Sequence, residues 1–346
     1  MILSMPNLAS NLVGKTINGW IVEEKLSKHD GTGGCFSSGY RVRDADGRRA
    51  FLKAMNIGYA FHNTGSKSFV DSMQEMTKSF QHEEALVRLC GEKRHDRIVA
   101  GIDSGEYKEA TSPMDVVPYL VFELAEHGDL RRHPKMKEQD LAWRLTVFHG
   151  VCVGLMQLHS SGVKHQDLKP SNILMFSGDT SKIGDLGRAT TGTGMYSEPQ
   201  HWGGNSYVPV EFYYGHAETD QEAQKRGADF YMLGGILAYI VSDAHIYGLV
   251  IGRIPESFRP GKMPGGFQQA LPAIRSATFE AITEITATVP THIREELSQM
   301  LKWLCEPDPK RRGHPKTLSE FGNRFSLERV VSIADRIAKK ARIAFK

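Results

Sequence analysis

Between positions 165 and 172 the chain reads His-Gln-Asp-Leu-Lys-Pro-Ser-Asn, which gathers a carboxylate (Asp167), an ammonium (Lys169) and a carboxamide (Asn172) into one short stretch. These groups suit phosphoryl transfer: a carboxylate can orient an attacking hydroxyl and take its proton, and an ammonium can neutralise charge on a transferring phosphate. An amide oxygen can ligate a hard cation. Downstream, Gly184-Asp185-Leu186-Gly187 adds a second oxygen ligand between glycines that permit close approach to phosphates. Two ligands for Mg²⁺, or for Mn²⁺ in its place, can therefore meet.

Particular elements must carry these groups. From Ile17 to Lys53, strand-like runs (Trp20 to Val22, Tyr40 to Arg43, Ala50 to Lys53) alternate with Gly and Asp turns, which predicts an antiparallel sheet. After a polar stretch from Asn63 to Lys78, Phe80 to Cys90 predicts a helix with Phe80, Leu86, Val87 and Cys90 on one face. Ile98 to Ile102 and Val116 to Glu123 predict two more strands. Helical patterns then dominate: Leu141 to His159, Ala228 to Val241, Phe279 to Thr286, Ile293 to Leu304 and Leu327 to Ile343. Ile254 to Gly266, rich in Gly and Pro, predicts an exposed loop. The most apolar window, Leu233 to Gly252, is long enough to span a membrane, but Ser242, Asp243 and His245 interrupt it, so it reads as a core helix. The expected class is α+β and bilobal: a small β-rich lobe over 16–125 and a larger helical lobe over 126–325. An N-terminal extension (1–15) precedes them and a basic amphipathic helix (326–346) follows.

Composition sets outer bounds. The 346 residues, 40% hydrophobic, can bury substantial cores. A net charge of +3 from 43 basic and 40 acidic residues is too small to make nucleic acid or membrane the main partner. Cys35, Cys90, Cys152 and Cys305 lie far apart, without zinc-site spacing or the density of a secreted disulfide scaffold, and the N-terminus lacks a signal-peptide pattern. A reducing cytoplasm is the expected location.

The octapeptide and Asp185-Leu186-Gly187 resemble the catalytic loop His-Arg-Asp-Leu-x-x-x-Asn and the metal motif Asp-Phe-Gly of the eukaryotic-type protein kinase superfamily. The resemblance runs from about Ile17 to Arg312. It implies ATP as phosphoryl donor, Asp167 as catalytic base, Lys169 as a γ-phosphate contact, and Asn172 and Asp185 as Mg²⁺ ligands. Ala50-Phe51-Leu52-Lys53 resembles Val-Ala-Ile-Lys, so Lys53 should hold the α- and β-phosphates, paired with Glu83 or, failing that, Glu84. Gly31 to Gly39, with Gly33 and Gly34, lies where the phosphate-covering glycine loop belongs, although the family's three glycines fall on Thr32, Gly34 and Ser37. Phe122 to Ala125 resembles the hinge, where backbone groups of Glu123 and Ala125 would bond adenine behind the gatekeeper Phe122. Asp129 would contact ribose or a basic substrate residue, or serve as an N-cap. Glu211 in Pro209-Val210-Glu211 and Arg312 match a structural ion pair, Asp229 matches the aspartate that braces the catalytic loop, and His165 and Gly187 support the site.

The departures carry information. Gln166 replaces the family arginine that grips a phosphorylated activation loop, so activity is expected not to depend on phosphate at Thr190, Thr191, Thr193, Tyr196 or Ser197. Gly204 replaces a threonine that would contact Lys169. Lysine at 169 still points to Ser/Thr acceptors in protein substrates. The long Lys53-to-Glu83 gap and the Ile254 to Gly266 loop are additions. Near the C-terminus, Leu327, Val330, Val331, Ala334, Ile337 and Ala341 form an apolar stripe beside Arg336, Lys339, Lys340, Arg342 and Lys346. Packing on the large lobe is the first reading of that helix, and contact with a membrane surface or partner the second. Two rival functions remain open: a catalytically weak pseudokinase acting as an interaction module, suggested by the glycine loop, and a small-molecule phosphotransferase of kinase-like fold.

Overall fold

The structure, a computed structural model, describes residues 8–26, 37–56, 68–109, 116–131, 140–192, 207–262, 265–319 and 324–343. In the small lobe, β1 (Thr16–Ile17), β2 (Trp20–Lys25), β3 (Ser37–Arg43), β4 (Arg49–Met55), β5 (Gly101–Lys108) and β6 (Val116–Glu123) form an antiparallel sheet in the order β1-β2-β3-β4-β6-β5. Strand alternation decides what faces the cleft. Ala50, Leu52 and Ala54 of β4 enter the lobe's core with Val117, Tyr119 and Val121 of β6. Phe51 and Lys53 therefore point the other way, where Leu120 and Phe122 of β6 join Val99 and Phe176 in a second cluster. Residues 8–12, part of the expected extension, are tied into this lobe. Ala9 and Leu12 lie in its core, and Tyr40 Oη donates to the Ala9 carbonyl at 2.7 Å.

Helix α1 (Phe69–Glu92) begins well before the expected Phe80. Ser68 caps it by accepting from the Asp71 N–H at 3.1 Å, and Met73 and the buried Met76 continue the apolar face back from Phe80 between polar neighbours. The strand expected from Ile98 starts instead at Gly101; Ile98 makes only a bridge to Ile183. Glycine is needed at 101 because a Cβ there would lie 2.3 Å from Val87 Cγ1 of α1.

The larger lobe is helical around α2 (Leu141–Ser160) and α3 (Gln221–Ser242), with α4 (Ile246–Arg253), α5 (Gly266–Thr286), α6 (Thr291–Leu304), α7 (Pro315–Ser319) and α8 (Glu328–Ile343). Between α2 and α3 lie the short strands β7 (Val163–Lys164), β8 (Ile173–Phe176), β9 (Thr180–Ile183) and β10 (Thr190–Thr191); β8 pairs with β9 and β7 with β10. The apolar window from Leu233 is not one helix. Asp243 adopts φ +58°, its N–H caps Tyr239 O at 2.8 Å, and α4 leaves at 95° to α3. The Ile254 to Gly266 segment is not wholly exposed, since Ile254 is buried and Tyr214 Oη anchors Phe258 O at 2.7 Å. In α8, Val330, Ile333, Ala334, Ile337, Ala338 and Ala341 are buried against α2 and α6. Its cations stay outside, with Arg336 and Lys340 on Glu296 and Lys339 on Asp335.

Candidate active site

The β8–β9 hairpin suspends two short segments at the mouth of the cleft between the lobes. The first, 165–172, is fixed from below by Asp229 of α3. This fully buried carboxylate accepts from His165 N–H (2.9 Å), Gln166 N–H (2.8 Å) and Gln166 Nε2 (3.1 Å), and it pairs with His159 Nε2 (2.8 Å). Burial alone would raise its pKa, but the His159 hydrogen bond and the other donors outweigh that and hold it below the usual range. Gln166 itself sits at φ +62°. His165 accepts from Asp167 N–H on Nδ1 (3.2 Å) and so donates from Nε2 to the Gly184 carbonyl (3.0 Å), joining the first segment to the second.

Above this brace, the Asp167 carboxylate is almost fully buried, with Lys169 Nζ 2.7 Å from Oδ2 and Arg188 Nη1 4.0 Å from Oδ1. Asn172 Nδ2 donates to the Asp167 carbonyl at 2.8 Å, which fixes the amide so that its oxygen is turned away from Asp167. Asn172 and Asp185 line the same cavity. A fixed carboxamide oxygen and an ionised carboxylate are hard oxygen donors, so this pair fits a divalent cation whose other ligands are phosphate and water.

Lys53 stands across the cleft, its Nζ 2.7 and 2.9 Å from the Glu83 oxygens and 3.0 Å from Asp185 Oδ1. Burial works against this ammonium, but the Asp185 and Glu83 charges overcome it and raise its pKa. Lys53 in turn holds the Asp185 carboxyl well below the usual range against burial. Glu84 points elsewhere and accepts from Ser104 Oγ at 2.6 Å. Gly187 lets Glu83 and Asp185 close together, since a Cβ there would lie 3.3 Å from Glu83 Oε2 and 3.4 Å from Asp185 Oδ1.

The rest of the cavity is apolar, walled by Phe51, Val99, Phe122 and Leu174, with Glu123 and Ala125 at its edge. The Glu123 side chain is turned away to Lys182 (2.7 and 2.8 Å), and its N–H donates to Ala100 O at 3.0 Å. Ala125 O accepts from Gly128 N–H at 3.2 Å. Asp129 lines the cavity, but its carboxylate is committed to Arg131, accepting from the backbone N–H (2.9 Å), Nε (3.1 Å) and Nη2 (2.9 Å). Arg312 meets Glu211 in a buried bidentate pair at 2.8 and 2.9 Å, and neither lines the cavity. Gly33, Gly34, Thr193, Tyr196, Ser197 and Gly204 lie outside the described residues.

Sequence reasoning passed over His159, Lys182, Arg188 and His82. His159 carried a signal, a polar residue in the last turn of an apolar helix. The other three act through partners distant in sequence and carried none.

A family model for the protein kinase domain matches residues 49–320. Receptor-interacting serine/threonine-protein kinase 1 of Homo sapiens is 25% identical over 271 residues, 74% of this chain and 36% of that protein. Serine/threonine-protein kinase PLK4 of Drosophila willistoni is 24% identical over 310 residues, 86% and 32% of the two chains. Inhibitor of nuclear factor kappa-B kinase subunit beta of Mus musculus is 32% identical over 124 residues, 34% and 16% of the two. The chain thus spans 36% or less of the length of these curated relatives.

Proposed function

Since the chain belongs to the protein kinase domain family, we propose that it transfers the γ-phosphoryl group of ATP to serine or threonine hydroxyls of protein substrates. The observation that carries this reading is the convergence on one cavity of Lys53, held by Glu83, with Asn172 and Asp185, where Asn172 Nδ2 donates to the Asp167 carbonyl and Lys169 pairs with the Asp167 carboxylate. Lys53 binds the α- and β-phosphates, and the apolar wall of Phe51, Val99, Phe122 and Leu174 takes the adenine. Asn172 and Asp185 hold Mg²⁺ or Mn²⁺, which supplies charge neutralisation at the phosphates. Asp167 orients the acceptor hydroxyl and takes its proton, and Lys169 offsets the charge of the phosphoryl group in transit.

An interaction module without catalysis would have no need of an intact Lys53–Glu83 pair beside a buried Asp167. The buried Cys90, Cys152 and Cys305, none of them in a disulfide, fit a cytoplasmic setting. The acceptor is tested by incubating the chain with radiolabelled ATP, Mg²⁺ and a cell extract, then hydrolysing the labelled protein. Phosphoserine and phosphothreonine support the reading; label only in phosphotyrosine or only in small molecules refutes it.

A further inference from the structure

His82 and Glu83 are consecutive in α1, so their side chains leave the helix about 100° apart. They reach different parts of the chain beyond the catalytic loop. Glu83 takes Lys53, which also holds Asp185. His82 Nε2 lies 2.7 Å from the carbonyl oxygen of Ala189, and because a carbonyl only accepts, Nε2 carries the proton.

Ala189 occupies a junction. Before it runs the 3₁₀ turn Leu186–Arg188, against which α1 packs. After it comes β10, whose Thr190 pairs with Lys164 of β7, the residue preceding His165. The Ala189 N–H is already used by Leu186 O at 3.0 Å, so the carbonyl is the backbone group left to meet α1. The Glu83 contact ties α1 to β4, while Glu84 on Ser104 and Val87 against Gly101 hold the helix to β5. The His82 contact, one residue from Glu83, adds a tie to a separate segment, the chain after Asp185.

We propose that His82 is a positioning residue. Its bond to the Ala189 carbonyl couples the path of the chain after Asp185 to the Lys53–Glu83 pair, so that Lys53 is set for nucleotide when that segment follows this path. The inference rests on the nucleotide reading of Lys53 given above.

His82→Gln, His82→Asn and His82→Ala separate this role from a packing one. A glutamine N–H reaches as far from Cβ as Nε2 does, whereas asparagine stops at the level of Nδ1. In the full chain, hydrogen exchange is followed in α1 and in residues 189–192, and MgATP affinity by calorimetry. His82→Ala and His82→Asn should speed exchange in both segments and weaken MgATP by about twofold to tenfold, the range for one lost neutral hydrogen bond. His82→Gln should stay near the wild type in both. A glutamine variant as impaired as the alanine one overturns the proposal, as does faster exchange in only one segment or unchanged affinity in His82→Ala. If the wild type binds no MgATP, the functional reading fails, while the exchange comparison still decides whether His82 couples the two segments.

Discussion

Lys53 Nζ stands 2.7 Å from Glu83 Oε1, a contact that joins β4 of the sheet to α1 and leaves the ammonium facing Asp185 across the cleft. One cation thereby ties together the sheet, the helix and the Gly184–Gly187 segment. Glu83→Gln removes the charge that orients Lys53 and should raise KM for ATP about tenfold, about 1.4 kcal/mol of binding. Glu84→Gln, at a side chain that accepts from Ser104 and not from Lys53, should leave KM within twofold. Steady-state kinetics on both variants checks this, and equal effects would reassign the partner.

Asp229 predicts a pH effect of definite sign. Its pKa is depressed in the folded chain, so the unfolded chain binds the extra proton in acid and the stabilisation is lost as pH falls. Wild type should exceed Asp229→Asn in urea midpoint by a margin that is full above pH ~4, the unfolded carboxyl value, and shrinks below it. A margin that grows in acid would contradict the assignment.

Gln166 donates from Nε2 to the Lys225 carbonyl at 2.8 Å and to Asp229 at 3.1 Å, so an amide fills the place where a loop-gripping guanidinium would stand. Complete phosphatase treatment should leave kcat within twofold of the untreated chain. A loss of tenfold or more, reversed on rephosphorylation at Thr191 or its neighbours, would refute independence from loop phosphate.

Arg312 and Glu211 form a buried pair, and stranding one buried charge costs about 3–5 kcal/mol. Glu211→Gln should lower the unfolding free energy measured by chemical denaturation by about 3–5 kcal/mol. A change below about 1 kcal/mol would mean that the Gly227, Glu306 and Pro307 carbonyls on Arg312 carry most of the interaction.

Much of this architecture is written locally. The Val116–Glu123 strand and the start of α2 at Leu141 follow from apolar runs bounded by polar residues, and Asp167, Asn172 and Asp185 stand close enough in sequence for their chemistry to be read directly. What escaped was non-local or conformational. The first turns of α1 carry only scattered apolar residues, Met73 and Met76 among them, and their start is marked by the Ser68 cap. The end of the helix expected over Ala228 to Val241 was legible, but the 95° turn into α4 depends on one left-handed residue, Asp243, inside an apolar window. The Asp129–Arg131 pair commits a carboxylate that resemblance assigns to ribose or a basic substrate residue, and nothing in the residue types gives its side-chain rotamers. The His82–Ala189 contact bridges segments 107 positions apart in the sequence.

On the proposed reading, Asp167 is the base that activates an acceptor hydroxyl beside a nucleotide in the cleft. The direct measurement pairs kcat with MgATP affinity in the wild type and Asp167→Asn, on any substrate the extract experiment yields. In Asp167→Asn kcat should fall by about 10²- to 10⁴-fold with the Kd for MgATP little changed. Undiminished phosphoryl transfer in Asp167→Asn would contradict it.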